Sequence, residues 1–279
     1  MTNKLVNSVI AITGAGSGIG RSLAIECAKR GANVAISDIN FPALEETQSL
    51  LQEQYPETKV HITKVNVSQK DEISLWASSI AKEFGFINAI INNAGVALSV
   101  TVEDMKYQDF EWLMDINFWG VVYGSKSFLP YIKKSPWGHI INVSSLFGLI
   151  STPNTSAYNA AKFAVRGFTE SLRIELMMNC KHVNVSCVHP GGIKTNIVNY
   201  GRDGGDVVGY ASTMTSAERK NNFNEKMART TPAQAAKIII DGLVKNRARI
   251  VVGPDAKLLD ILQRLFPVKY QKLVARVFG

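Results

Sequence analysis

A single α/β domain built on a parallel sheet is predicted by three observations in this 279-residue chain. A glycine-rich turn, Thr13-Gly14-Ala15-Gly16-Ser17-Gly18-Ile19-Gly20, lies between an apolar strand signal and a helix signal. The next apolar run ends on an acidic residue, Asp38, and far downstream a tyrosine stands four positions before a lysine, Tyr158-Asn159-Ala160-Ala161-Lys162. With 46% apolar residues the chain can bury one large core, and one domain is the expected count.

The elements follow in chain order. Ser8-Val9-Ile10-Ala11-Ile12 is short, apolar and β-branched, the composition of a strand buried on both faces of a parallel sheet. After the glycines, Leu23, Ala24, Cys27 and Ala28 recur at helical spacing, and Lys29-Arg30-Gly31 supplies terminal cations and a glycine stop. Strand, glycine turn and helix together let backbone N–H groups and a helix N-terminus hold a pyrophosphate. Gly14, Ser17, Gly18, Ile19 and Gly20 are therefore candidate cofactor contacts. Their spacing is G-x-x-x-G-x-G rather than the G-x-G-x-x-G of the common dinucleotide fingerprint. A tight turn without a ligand is the competing reading, and the following strand argues against it.

That strand, Asn33-Val34-Ala35-Ile36-Ser37, ends at Asp38, a little beyond the usual ~20 residues from a glycine loop, where a carboxylate can accept from both adenosine ribose hydroxyls. A 2′-phosphate at the same place would set like charges about 4 Å apart, costing roughly 4 kcal/mol per pair of unit charges at an effective dielectric near 20. Ile39 and Asn40 offer no compensating cation, so NAD is favoured over NADP. Arg21 is the residue that could reverse this preference by reaching the ribose.

His139-Ile140-Ile141-Asn142-Val143 reads as another buried strand, placing Ser144 and Ser145 at the carboxyl edge of the sheet, where ligands bind in open parallel sheets. Tyr158 and Lys162 share one face if their segment is helical. A tyrosine pKa near 10 is too high for a base at neutral pH, and lowering it by about 3 units needs about 4 kcal/mol of preference for the phenolate. An adjacent ammonium supplies energy of that order; desolvation of the lysine opposes it, so the positive charge of a bound nicotinamide is called on as well.

The Gly14–Gly20 loop, Asn92-Asn93-Ala94-Gly95, Asn117, Ser144-Ser145, Tyr158-x-x-x-Lys162 and Pro190-Gly191-Gly192-Ile193-Lys194-Thr195 occur in one order. In this the chain resembles, over nearly its whole length, the short single-domain branch of the short-chain dehydrogenase/reductase family. The resemblance implies a Rossmann-type doubly wound sheet of about seven parallel strands in the order 3-2-1-4-5-6-7, with helices on both faces. It implies that Tyr158 is the acid/base and that Lys162 tunes it and holds the nicotinamide ribose. Ser145 rather than Ser144 would polarise the substrate oxygen, and Asn117 would kink a helix and anchor a water relay to the lysine. Asn93, Ala94, Gly95, Pro190, Gly191, Ile193 and Thr195 fall to the cofactor, as do Asn66 and Val67 near the adenine. Asn66 stands where many members carry aspartate; an amide can still accept and donate hydrogen bonds.

Other features narrow the class. Met1 to Asn7 runs straight into the first strand, so no leader is expected, and no apolar run is long enough to span a membrane. Cys27, Cys180 and Cys187 show no pairing or metal spacing and read as free thiols of a cytoplasmic protein. His61, His139, His182 and His189 are scattered, so no metal site is expected. The net charge of +8 is concentrated at the end: 219–279 holds thirteen Lys/Arg against four Asp/Glu. Such a region suits acidic substrates or an anionic membrane; no nucleic-acid motif accompanies it.

Thr231-Pro232 opens a helix through Ala235, Ala236, Ile239 and Ile240, and Arg249-Ile250-Val251-Val252-Gly253 reads as the last strand. In the extension 254–279, Leu258, Leu259, Ile261, Leu262, Leu265 and Phe266 fall at helical spacing up to Pro267. Tyr270, Leu273, Val274, Val277 and Phe278 continue the pattern opposite Lys269, Lys272 and Arg276. Packing on this or a neighbouring subunit and contact with a membrane surface are both open. By resemblance, 196–230 is a substrate lid; its Ile197, Val198, Tyr200, Val207, Val208 and Tyr210, with Phe147, Leu149 and Ile150, are expected to line an apolar pocket. The expected activity is NAD(H)-dependent interconversion of a hydrophobic secondary alcohol and its ketone, by a homodimer or homotetramer. An NADPH-dependent acyl or thioester reductase and a non-catalytic NAD/NADH sensor remain as alternatives.

Overall fold

Strand β1 (Val9–Thr13) is buried along its whole length, as the β-branched run requires, and it is an interior strand of the sheet. A computed structural model describes residues 4–197, 200–222 and 228–278. After β1 come α1 (Gly18–Lys29), β2 (Asn33–Asp38), α2 (Phe41–Gln54), β3 (Val60–Lys64), α3 (Lys70–Phe84), β4 (Ala89–Asn92) and β5 (Leu98–Ser99). Helix α4 (Tyr107–Met114) runs through a π-helical turn, Asp115–Trp119, into α5 (Gly120–Ile132). Then follow β6 (Gly138–Val143), a 3₁₀ turn at Leu146–Gly148, α6 (Ser156–Asn179), β7 (Val183–Pro190) and β8 (Arg202–Asp203). The chain closes with α7 (Ser216–Asn222), α8 (Pro232–Val244), β9 (Arg249–Val252), α9 (Pro254–Leu265) and α10 (Tyr270–Phe278).

Seven strands pair in parallel in the order β3-β2-β1-β4-β6-β7-β9. With the two short strands set aside, this is the order 3-2-1-4-5-6-7 that the resemblance implied. Alternate strand residues feed opposite layers. Ile10, Ile12, Val34 and Ile36 join α1, α2 and α8 through Leu23, Leu44 and Ile240. Val9, Ala11 and Ala35 join α3, α5 and α6 through Trp76, Phe128 and Leu172. The strand order reverses between β1 and β4, so the carboxyl ends of these neighbours open the crevice at a topological switch point. Short β5 and β8 pair with each other, linking the segment after Gly95 to the expected lid.

Helix starts match the sequence signals. Thr231 caps α8 in a complete capping box with Gln234, the two backbone–side-chain bonds measuring 3.2 and 2.9 Å. A polar ladder crosses the second layer: Asn92 Nδ2 donates to Asn142 Oδ1 at 2.8 Å, and Asn142 Nδ2 donates to Thr169 Oγ1 at 3.0 Å. It ties β4 to β6 and β6 to α6, the elements that carry the candidate catalytic groups.

Candidate active site

The chain leaves β1 at Thr13 and turns at Gly14 with φ +66°. A Cβ at Gly14 would lie 2.8 Å from Ala94 Cα, and one at Gly20 would strike the Gly14 carbonyl oxygen. Both positions need glycine for close approach. Asn93 Nδ2 donates to Thr13 O at 2.9 Å and to Gly14 O at 3.3 Å, while Thr13 Oγ1 accepts from Asn93 N at 2.9 Å and Ala94 N at 3.0 Å. The glycine loop and the Asn93-Ala94-Gly95 turn are thus one unit. Thr13 was absent from the sequence candidates; a lone threonine at a strand end carries no signal of its own.

Helix α1 begins at Gly18, with Ile19 and Gly20 in its first turn. Ser17 makes no side-chain cap and no acidic residue occupies that turn, so the positive helix end is left for an outside anion. Thr195 approaches from the other side: a Cβ on Gly18 would be 3.3 Å from Thr195 Cγ2. Before Thr195, β7 ends at Pro190, Gly191 N donates to Val252 O at 2.9 Å, and Ile193 bridges Thr230. This cradle, open at the helix end and too narrow for side chains at its base, fits a dinucleotide pyrophosphate.

At the tip of β2, Asp38 Oδ2 accepts from Gly16 N and Oδ1 accepts from Asn40 N, both at 2.9 Å. The carboxylate is fixed against the glycine loop. Arg21, the residue that could have served a 2′-phosphate, is committed elsewhere. Its guanidinium donates to Gly16 O at 2.5 Å, Ala43 O at 3.2 Å, Thr47 Oγ1 at 2.9 Å and Glu46 at 2.9 Å. Asn66 uses its side-chain oxygen locally, accepting from Ser68 N at 3.1 Å and Ser68 Oγ at 2.9 Å, and Val67 packs within 3.1 Å of where a Gly120 Cβ would stand.

On the β6 side of the crevice the structure brings Ser145, Tyr158 and Lys162 together. Ser145 and Tyr158 share a hydrogen bond, and Ser145 Oγ also accepts from Phe147 N at 3.1 Å. Ser144 is turned away from the phenol; its hydroxyl donates to Lys162 O at 2.8 Å and braces α6. Lys162, only 3% exposed, donates to Val143 O at 3.1 Å and lies 5.5 Å from the Tyr158 ring centroid. One of the three ammonium donors is thereby engaged among the described residues. Asn117 sits inside the π-helical turn, a feature frequent at functional sites, and its amide pairs both ways with Val96: N to Oδ1 and Nδ2 to O, each at 2.8 Å. A Cβ on Gly95 would lie 3.1 Å from Asn117 Oδ1 and 3.5 Å from Lys162 Nζ, so all three meet at one point.

Burial governs the charges of this cluster. It pushes the Tyr158 phenol up to about 12, against the lowering pull of the Ser145 hydrogen bond. It pushes Lys162 down to about 8. The protein alone therefore does not make the phenol acidic, and the lysine is not the dominant influence on it. His189 is a further member that sequence patterning did not single out. Its Nδ1 lies 2.9 Å from Ser145 O, and since a carbonyl only accepts, Nδ1 carries the hydrogen. Burial holds this imidazole down to about 4, so it is neutral at pH 7.

The apolar surroundings differ from expectation in part. Phe147 stands edge-on to Tyr158 with ring centroids 6.1 Å apart, and Leu98, Val100 and Leu113 pack with the tyrosine. Leu149 and Ile150 instead lie in the core, Ile150 beneath the C-terminal helices. In 196–230, Val207 is buried while Tyr200 and Val208 are exposed; Val198 and the Tyr210 side chain lie outside the described residues. The segment is held at Arg202, which pairs with Asp109 at 2.8 Å and stacks 3.9 Å over Trp112. Cys27, Cys180 and Cys187 are buried thiols, and the described residues hold no group of three metal-ligating side chains.

The family model described as short chain dehydrogenase matches residues 8–205. SadH of Mycobacterium tuberculosis (strain H37Rv), named as an inferred oxidoreductase, is 43% identical over 269 residues, covering 96% of this chain and 94% of that protein. Cyclohexanol dehydrogenase of Acinetobacter sp. (strain SE19) is 34% identical over 200 residues, 71% of this chain and 78% of that one. Among solved structures, a short-chain dehydrogenase/reductase from Burkholderia phymatum in complex with NAD superposes with a TM-score of 0.86 at 24% identity, covering 96% of each chain.

Proposed function

This chain belongs to the short-chain dehydrogenase/reductase family and is an oxidoreductase of that family, and from that premise we propose that it interconverts a hydrophobic secondary alcohol and its ketone with NAD(H). The observation that carries the reading is the convergence of Ser145, Tyr158 and Lys162 beside the glycine cradle. When bound, the dinucleotide supplies the hydride acceptor or donor. Gly14, Ser17, Gly18, Ile19, Gly20 and Thr195 hold its phosphates, and Asn93, Ala94, Gly95, Pro190, Gly191 and Ile193 shape the walls around it. Asn66 and Val67 flank the adenine, where Asn66 keeps its amide N–H donors because only its oxygen is spent on Ser68.

Tyr158 takes the proton from the alcohol oxygen in oxidation and returns it in reduction. Ser145 donates to that oxygen and stabilises the charge that develops there. Lys162 offers its remaining N–H donors to the nicotinamide ribose, and Asn117 fixes the turn against which the ammonium rests. A phenol near 12 becomes a usable base only when positive charge is added to the pocket, so cofactor binding and proton transfer are coupled.

NAD over NADP is supported by the fixed Asp38 carboxylate and by the commitment of Arg21 to Glu46 and three oxygen acceptors besides. Asp38→Ala is expected to weaken NAD binding by roughly tenfold and to narrow its lead over NADP, since both the ribose contact and the repulsion disappear. Fluorescence titration with each nucleotide checks this. Phe147 and the apolar packing around Tyr158 favour an apolar substrate, and the likeness to a cyclohexanol dehydrogenase points to cyclic secondary alcohols. Association through helices flanking the sheet would cover Ile174 and Met177, which α6 leaves exposed. The test is NADH formation over cyclic, steroidal and long-chain secondary alcohols. Turnover with NAD is expected on at least one class; none with either nucleotide would overturn the reading.

A further inference from the structure

We propose that α9 and α10 dock the protein onto an anionic lipid surface, through an apolar stripe framed by lysines and arginine. A helix packed on a water-soluble domain turns its apolar stripe inward. Helix α9 turns Leu259 and Leu262 partly inward but carries a second apolar row on its outer side. It buries Ala256 and Asp260, while Leu258, Ile261 and Leu265 remain 56–67% exposed. The stripe continues through the connection, where Phe266 and Val268 are exposed, into Leu273 and Val277 of α10.

The charges beside this stripe are one-sided. Its two carboxylates are spent on the protein itself. Asp255 Oδ2 accepts from Gly192 N at 2.7 Å, and Asp260 pairs with Arg264 at 2.8 Å and Arg249 at 3.5 Å. Lys257, Lys269, Lys272 and Arg276 have no acidic partner among the described residues. On the wheel of α10, Lys272 and Arg276 flank Leu273 and Val277. Apolar residues at the centre with cations alongside are the pattern of a helix lying in a lipid interface, where acyl chains receive the one and anionic headgroups the other. A second copy of the chain is the poorer occupant, because a two-fold contact through this face would bring lysines against lysines. No described helix is long and apolar enough to cross a membrane, so the contact is peripheral.

The helices are not a loose tail. Tyr270 and Val274 pack with Leu146 and Ile150, and Tyr270 Oη accepts from Ser151 N at 3.1 Å, so the docking face is built onto the loop that follows Ser145. The docking does not depend on the proposed chemistry. It is tested by flotation of the full chain with vesicles of phosphatidylcholine alone or with phosphatidylglycerol added, beside light scattering for the oligomeric state. Wild type is expected to float with the anionic vesicles only and to be released by salt. The double variants Leu258→Glu/Leu265→Glu and Lys269→Glu/Lys272→Glu should each lose roughly tenfold in bound fraction, with unchanged melting temperature. Failure of wild type to float overturns the proposal, and so does flotation of either variant at the wild-type level. Dissociation of an oligomer by the leucine variant, with no lipid binding by wild type, assigns the face to a second copy and overturns it as well.

Discussion

At the cofactor crevice, backbone and side chains fit one another so closely that a single added carbon at Gly14 or Gly20 would collide with main-chain atoms. In α9 and α10 the outer residues touch little, and the leucines that a core would claim stand in solvent. The difference separates two kinds of constraint. In the crevice, geometry is imposed by contacts within the fold, so side chains cannot change without moving the loop. On the C-terminal helices the fold covers Ala256, Tyr270 and Val274 and, in part, Leu259, Leu262 and Phe278, which leaves the outer pattern free to answer to something outside the chain.

The sharpest way to break this contrast is at its best-determined point. Tyr158→Phe keeps the ring that packs against Phe147 and removes only the hydroxyl. Turnover should fall by about 10²–10⁴-fold with the melting temperature nearly unchanged, measured by NADH formation and thermal unfolding. Ser145→Ala should cost about 10²–10³-fold in kcat with little change in nucleotide affinity, because one donor to a developing oxyanion is lost. Ser144→Ala should instead act on stability, since its hydroxyl bonds to Lys162 O rather than to Tyr158.

Stability against pH sharpens the electrostatic side. Lys162 in the folded chain lies near 8, below its ordinary 10.5. Between these values the unfolded chain carries a proton that the folded chain does not, so stability rises with pH across that window. Cys27 and Cys187 from about pH 9, and Tyr158 from about pH 10, act in the opposite sense, since each ionises in the unfolded chain while burial keeps it protonated to about 12 when folded. The Lys162 part is isolated by comparison with Lys162→Met: without nucleotide, the unfolding free energy of wild type should gain on that of the variant from pH 8 to pH 10, by at most about 3 kcal/mol. The smallest effect belongs to the C-terminal pair: Tyr270→Phe removes the acceptor of Ser151 N and should cost about 1 kcal/mol, read from the same unfolding curves.

What could be read from the chain beforehand follows the same division. The glycine loop, β2 with Asp38, and the Tyr158–Lys162 spacing depend on neighbours in sequence, and local periodicity exposes them. The capping box of Thr231 and Gln234 is likewise a matter of near neighbours. Contacts across the chain left no such trace. Thr13 meets Asn93 from 80 positions away, and His189 meets Ser145 from 44. The helix irregularity at Asn117 is expected only through the resemblance; the pairing of its amide with Val96, 21 positions away, has no local pattern. Leu149 and Ile150 read as pocket residues because an apolar pair after Ser145 looks the same whether a ligand or a helix covers it; here α10 covers Ile150. The apolar spacing of α9 is visible in the sequence, but with apolar residues on both sides it does not say which side faces the sheet; in the structure Ala256, Leu259 and Leu262 pack inward and Asp260 reaches Arg249 on β9.

Central to the proposed chemistry is a Tyr158 phenol that becomes acidic only when positive charge joins Lys162 beside it. Its most direct measurement is a phenolate absorbance titration, wild type minus Tyr158→Phe, without nucleotide and with NAD⁺ bound. Ionisation near 12 is expected in the chain alone, with a shift of several units toward neutral pH once NAD⁺ is bound. A Tyr158 that titrates at the same pH in both states would contradict this coupling.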